Sequence, residues 1–279
     1  MDDTQTPETP KLSELEEILM NMSDEERKIL TKQLKYPNSI KKTYEHKFPR
    51  KRARFGVISD THIGAESFDE NALLTAFDFY KKEKVDAIYH CGDILEGMSG
   101  RPGHIYELEK VGLSAQLNYA ADLLSQTNIP IYSITGNHDQ WYMKKGDAGA
   151  DVGQMLEDKL DNFHYLGMNE ADIIIGKGVK MKLIHPNDGS AYATSYKLQK
   201  LIESFKEEDK PQMVFEGHYH KAMQMYSRGV YGYEAGTLCD QSEFMRLKKL
   251  QAHKGAWLID AYMKKKGGLD RVTSTFMNL

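Results

Sequence analysis

The stretch SITGNHDQWY, residues 133–142, decides how this chain is read. It ends the run NIPIYSIT (128–135), whose apolar, β-branched content and length suit a buried strand. A strand that runs into a glycine and then Asn137, His138 and Asp139 presents those side chains to something at its carboxyl end.

Working outward, the same pattern recurs. Strands are predicted at 55–59, 85–90, 129–135, 179–185 and 212–217, with helices at about 69–83, 107–126, 149–160 and 192–207, which argues for a layered α/β fold. The later segments AMQMYSRGVYGYEAGTL and GAWLIDAYM read as strands without helices between them, hence a second, more antiparallel sheet. Polar residues stand just past each strand: Asp60 and His62, then Gly92-Asp93, then Gly136-Asn137-His138-Asp139, then His185, then Gly217-His218-Tyr219-His220. Ligands of open α/β sheets bind beyond the carboxyl ends of the strands. Carboxylate, amide oxygen and imidazole together suit Mn, Fe or Zn. Asp60 and His62, like His218 and His220, are two apart, a spacing that points both to one side if the backbone is extended. Seven such donors exceed one ion's needs and fit two ions roughly 3.5–4 Å apart that share a carboxylate.

Composition narrows the rest. Hydrophobic residues make up 40% of the 279, enough for a sizeable core, and the net charge of −4 gives no overall attraction to nucleic acid. Cys91 and Cys239 are the two cysteines, so neither a disulfide framework nor a CxxC zinc site is expected. The acidic, polar start lacks the pattern of a signal peptide and no apolar run is long enough to cross a bilayer, so the expectation is a cytoplasmic protein without membrane contact. Residues 1–10 read as disordered, and capping boxes at Ser13/Glu16 and Ser23/Glu26 open helices over about 14–21 and 24–35. The expected organisation is a helical extension over 1–46 and a catalytic domain over 47–279. Between them KKTYEHKFPRKRAR (41–54) carries seven basic residues, either a charged linker or an arm that touches DNA or RNA.

The ordered set DTH (60–62), GD (92–93), GNHD (136–139), His185 and GHYH (217–220) resembles the calcineurin-like metallophosphoesterase superfamily over about residues 54–260. The resemblance implies an α/β/β/α four-layer sandwich, here with a short N-terminal helical extension. It implies two divalent metal ions, manganese first, with iron, zinc or nickel as the others. Asp60, His62 and His220 would hold one, Asn137, His185 and His218 the other, and Asp93 would bridge. His138 would face the substrate phosphate, and Asp139 would orient the His138 ring. Phosphoester hydrolysis by a two-metal-activated hydroxide follows from the same resemblance. Family members usually carry glycine after the fourth-block histidine. Pro186 stands there instead and implies a different loop over the pocket.

Three loops are expected at the rim. EGMSGRPGHIYE (96–107) brings Arg101 and His104 as substrate contacts, and its Arg-Pro pair is similar to the DNA-repair nuclease branch of the superfamily. QWYMKKGDAGAD (140–151) brings Trp141, which either stacks on a base or packs on the body. PNDGSAYATSYK (186–197) brings hydroxyls. A phosphodiesterase or nuclease acting on nucleic acid or nucleotides is the leading expectation. A small-molecule phosphatase or cyclic-nucleotide phosphodiesterase is the alternative, and an inactive scaffold subunit comes third. A homodimer through the helical extension or the Tyr-rich MYSRGVYGYEAG is a further expectation.

Overall fold

The computed structural model describes residues 22–23, 43–48, 51–144, 149–176 and 178–279. The chain divides into two compact units, 1–41 and 42–279. The expected disordered tip and helices over 14–35 lie outside the described residues.

Two six-stranded sheets form the centre of the second unit. The first has the order β12-β11-β2-β3-β4-β5, built from β2 (Arg52–Ile58), β3 (Ala87–Cys91), β4 (Ile131–Thr135), β5 (Phe163–Met168), β11 (Gly255–Met263) and β12 (Leu269–Asn278). Strands β2 to β5 run parallel, and β11 and β12 extend the sheet antiparallel. The second has the order β1-β6-β7-β8-β10-β9, from β1 (Thr43–His46), β6 (Glu170–Ile175), β7 (Val179–Ile184), β8 (Met213–Glu216), β9 (Ala222–Ser227) and β10 (Val230–Ala235). Here β7, β8 and β10 are parallel neighbours, while β6 and β9 pair antiparallel.

Side-chain alternation along the strands sorts the core into layers. Val57, Tyr89, Ile173, Leu183, Phe215 and Ile259 pack between the two sheets. On the outer face of the first sheet, Ile58, Ile88, Ile131 and Phe163 meet helices α1 (Glu70–Glu83), α2 (Leu113–Leu124) and α4 (Val152–Glu157) through Leu73, Tyr80, Leu117, Leu124 and Leu156. A short helix, α3 (Trp141–Lys144), follows the GNHD loop. On the outer face of the second sheet, Val214 and Val230 meet Leu198 and Ile202 of helix α5 (Tyr196–Ser204). The result is the α/β/β/α sandwich. Helix α6 (Glu243–Lys248) stands apart, in the loop between β10 and β11.

Three sequence expectations change. The five site-bearing strands do not share one sheet: β2, β3 and β4 belong to the first, β7 and β8 to the second. Part of the basic segment is structural, since Thr43–His46 pairs in parallel with β6 and Arg52–Ile58 is a central strand. Arg54 donates to Asp260 at 2.7 and 2.8 Å and to Glu83 at 3.0 Å, so its charge is spent inside the fold. The helix expected from 107 begins at Leu113 instead, because Gly112 sits at φ +88° in front of it. A one-turn 3-10 helix, His104–Glu107, precedes it.

Candidate metal centre and active site

The strand-end loops of both sheets meet at one edge of the sandwich. Asp60, His62, Asp93, His218 and His220 all adopt left-handed backbone, with φ between 46° and 79°. Asp and His tolerate that region better than most residues, yet each instance costs on the order of 1 kcal/mol. Each Asp-x-His or His-x-His pair therefore shares a direction through a turn, not through the extended backbone expected from the spacing. Glycines let the loops touch. A Cβ on Gly136 would lie 2.2 Å from Asp93 Oδ1, and one on Gly92 would lie 2.7 Å from His185 Nδ1. Any side chain at either position would push the GD and GNHD loops apart.

Seven predicted donors come together. Asp60, His62 and His220 offer ligand atoms within 4.8 Å of one another, as do Asp93, His185 and His218. Asn137 joins the second group, its Oδ1 3.2 Å from His185 Nε2. The groups adjoin: His62 Nε2 lies 3.9 Å from Asp93 Oδ2, and within the first group it lies 3.0 Å from His220 Nε2. Fixed hydrogen bonds decide which nitrogen faces inward. His185 Nδ1 donates to the Cys91 carbonyl at 2.8 Å, leaving Nε2 toward Asp93 Oδ2 at 3.1 Å. His218 Nε2 donates to the Asp188 carbonyl at 2.7 Å, leaving Nδ1 as its ligand atom. The Asp60 carboxylate accepts the His218 N–H, and Asp93 accepts the His138 N–H at 2.8 Å.

The field at this floor favours positive charge. Burial alone would lower the His185 pKa, but the Asp93 carboxylate overrides it and lifts it to about 9. His62 is likewise raised despite burial, chiefly by Glu96. Asp93 is held low by His185 and His138. Carboxylates that draw protons onto buried imidazoles draw a metal ion by the same attraction, with release of those protons. Oxygen and nitrogen donors of this kind fit divalent cations of the manganese, iron and zinc group.

Glu96 is a site residue that the sequence reading missed. It is buried, and its carboxylate lies 2.7 Å from His62 Nδ1, off the line of a good hydrogen bond, 2.7 Å from His104 Nε2 and 3.4 Å from His138 Nδ1. The Glu96 carbonyl accepts from His138 Nδ1 at 2.9 Å. An acid three residues after Asp93, in an otherwise apolar loop, was the available signal. Asp188 is a second omission: its side chain binds Tyr219 and Lys197 while its carbonyl fixes His218.

Three predicted roles change. Asp139 does not bond the His138 ring. It accepts N–H groups from Leu95 and Gly136 at 2.9 Å and Ile94 at 3.2 Å, clamping the GD loop to the GNHD loop. His104 is 2% exposed, with Nδ1 accepting from Ser99 N–H and Nε2 on Glu96, so it supports the site from behind. Trp141 packs on the His138 ring with centroids 3.9 Å apart, and its edge meets His104. Arg101 does line the cavity, in a two-toothed pair with Glu107 at 2.7 and 2.9 Å.

The description "calcineurin-like phosphoesterase superfamily domain" matches residues 54–247, well over half of the chain. The chain belongs to this superfamily. Among curated proteins it is similar to the DNA polymerase II small subunit of Methanothermobacter thermautotrophicus, 22% identical over 235 residues, 68% of this chain and 48% of that one. It is also similar to the DNA polymerase II small subunit of Halobacterium salinarum, 28% identical over 109 residues, 37% of this chain and 22% of that one. The chain spans less than half the length of these curated relatives. Among solved structures, an archaeal phosphodiesterase superposes with a TM-score of 0.47 at 16% identity, covering 80% of this chain and 99% of that one. No helix among the described residues is long and apolar enough to cross a membrane.

Proposed function

We propose that this chain is a metal-dependent phosphodiesterase acting on nucleic acid or nucleotides, with manganese as its metal. The observation that carries the reading is the convergence of seven donors in two adjoining groups, of which His62, Asp93, His218 and His220 line a cavity of about 1030 Å³ together with His138. Asp60, His62 and His220 would hold one cation, Asn137, His185 and His218 the other, with Asp93 between. When bound, such a pair supplies Lewis-acid polarisation of a phosphoryl oxygen and activates water near neutral pH.

His138 is the group of the chain that meets the substrate. Its Nδ1–H is fixed on the Glu96 carbonyl, which leaves Nε2 for the phosphate. Burial opposes its protonation, but the Glu96 and Asp93 carboxylates overcome this and raise its pKa. A charged imidazole there stabilises oxygen that gains negative charge and gives its proton to the leaving oxygen. Trp141 and Glu96 hold the ring from two sides.

The complete donor set supports a catalyst over an inactive subunit, although the polymerase small subunits that resemble it are named as parts of assemblies. Cytoplasmic residence fits the two unpaired, buried cysteines. Manganese-loaded protein assayed by elemental analysis, and then on phosphodiesters and phosphomonoesters, is expected to hold two ions per chain and to prefer diesters. Absence of bound metal, or equal turnover by Asp93→Asn, would remove the reading.

A further inference from the structure

Resting on the phosphoesterase reading, we propose that the rim of the cavity is a base-stacking subsite, so that the substrate is a small nucleotide diester and not a nucleic-acid polymer. Two elements outside the metal floor bring the exposed apolar side chains to this rim. The 99–107 loop contributes Arg101 and Tyr106, and α6 contributes Phe244, Arg246 and Leu247. Three of these are apolar and face water beside a charged pocket: Phe244 is 40% exposed, Leu247 76% and Tyr106 82%. Such exposure at the mouth of a functional cavity marks a surface built to be covered. The Arg101 guanidinium lies 5.2 Å over the Phe244 ring and is also paired with Glu107. That contact ties the two elements together and holds one face of the ring, and the same aromatic rim suits the flat π-face of a base.

The charges on the rim argue against a polymer. Tracking a phosphate backbone needs a row of free cations. Arg101 is neutralised by Glu107, and Arg246 is the one lining cation that forms no ion pair among the described residues. Glu66 and Glu243 line the same cavity, also without ion pairs among those residues, and Asp188 and Asp240 line it paired with Lys197 and Lys254. Among the described residues the wall therefore offers stacking area and one cation outside an ion pair. That suits a ligand with one phosphate at the metal floor and one base on Phe244.

The test compares a dinucleoside monophosphate with an analogue lacking one base, on manganese-loaded protein, with products separated by chromatography. The base is expected to lower KM about tenfold, within the range seen for base–aromatic stacking. Phe244→Ala is expected to shrink that ratio to near one, and Phe244→Tyr to restore it. A single-stranded oligonucleotide is expected to give the lower kcat/KM. A base ratio untouched by Phe244→Ala, or faster hydrolysis of the oligonucleotide, would overturn the subsite while leaving the phosphodiesterase reading in place. Calorimetric titration of the dinucleoside monophosphate separates the remaining cases. Binding that Phe244→Ala weakens about tenfold, with no turnover of any ester, would keep the subsite and remove the catalyst. Neither binding nor turnover would remove both. A concentration-dependent dimer abolished by Phe244→Ala would assign the patch to a second copy of the chain and overturn the proposal.

Discussion

Two groups of buried carboxylates lie within the same sandwich, and they behave in opposite ways. Asp60, Asp93 and Glu96 at the metal floor are held well below the usual carboxylate range, despite burial that works against them, because imidazoles crowd them. Glu216 of β8 and Glu234 of β10 face each other in register, also buried. Glu216 Oε2 and both carboxylate oxygens of Glu234 accept no hydrogen bond. Burial and the neighbouring Glu234 push Glu216 up to about 8, and burial pushes Glu234 up to about 7. Depth alone therefore does not set ionisation: the partner does. The first group is the proposed trap for cations, and the second is a pair of acids that hold their protons above the usual carboxylate range.

The largest effects should break the trap. Asp93→Asn removes the carboxylate between the two donor groups, and turnover should fall by far more than the roughly 10–100-fold typical of an outer partner. Elemental analysis should show fewer than two metal ions per chain. His138→Ala should keep the metal and lose about 100- to 10,000-fold in kcat, the range for a positioned proton donor. Glu96→Gln keeps the shape but weakens the hold on His62 and His138, so about 10–100-fold should be lost from activity or metal affinity. Retained activity in Asp93→Asn would show that the low-lying carboxylates are structural.

The trap was legible in the sequence because its parts recur in the same place: a polar cluster after each apolar strand, with glycine before Asp93, Asn137 and His218. Strand-end position survives even when the strands belong to different sheets, so His185 and His218 were found although β7 and β8 lie in the second one. Partnership was not legible. Asp139 beside His138 in sequence points instead at backbone N–H groups, and Glu96, 42 residues away, holds the ring. Strand β12 escaped because it is an edge strand with no buried residue. Strand β5, FHYLGM, has four buried and two half-buried residues without regular alternation.

A third case is a single buried carboxylate paired with a different kind of cation. Asp260 on β11 is held by Arg54 and, at 3.4 Å, by Arg52. Arg54→Ala leaves Asp260 with the weaker partner, so the loss should be about 3 kcal/mol, the low end for breaking a buried pair. Denaturant unfolding would measure it. A change under about 1 kcal/mol would mean that the pair is as exchangeable as one on the surface.

The unpartnered pair gives the smallest effect and the sharpest sign. Unfolded, a glutamic acid releases its proton above about pH 4.5. Folded, Glu234 keeps it up to about pH 7. Between those values the folded state binds more protons than the unfolded one, so stability falls as pH rises and levels off beyond the folded pKa. The metal-floor carboxylates have the opposite slope: their depressed pKa values add stability above the unfolded value, and it is lost as pH falls through the acid range. Glu234→Gln cannot ionise, so it should remove one neutral-range slope and leave the acid limb. Relative to the parent chain, the variant should gain about 2 kcal/mol between pH 5 and pH 8, read from thermal or urea unfolding at both. An unchanged slope would show that Glu234 is ionised and partnered in solution, and the contrast between the two groups of acids would fail.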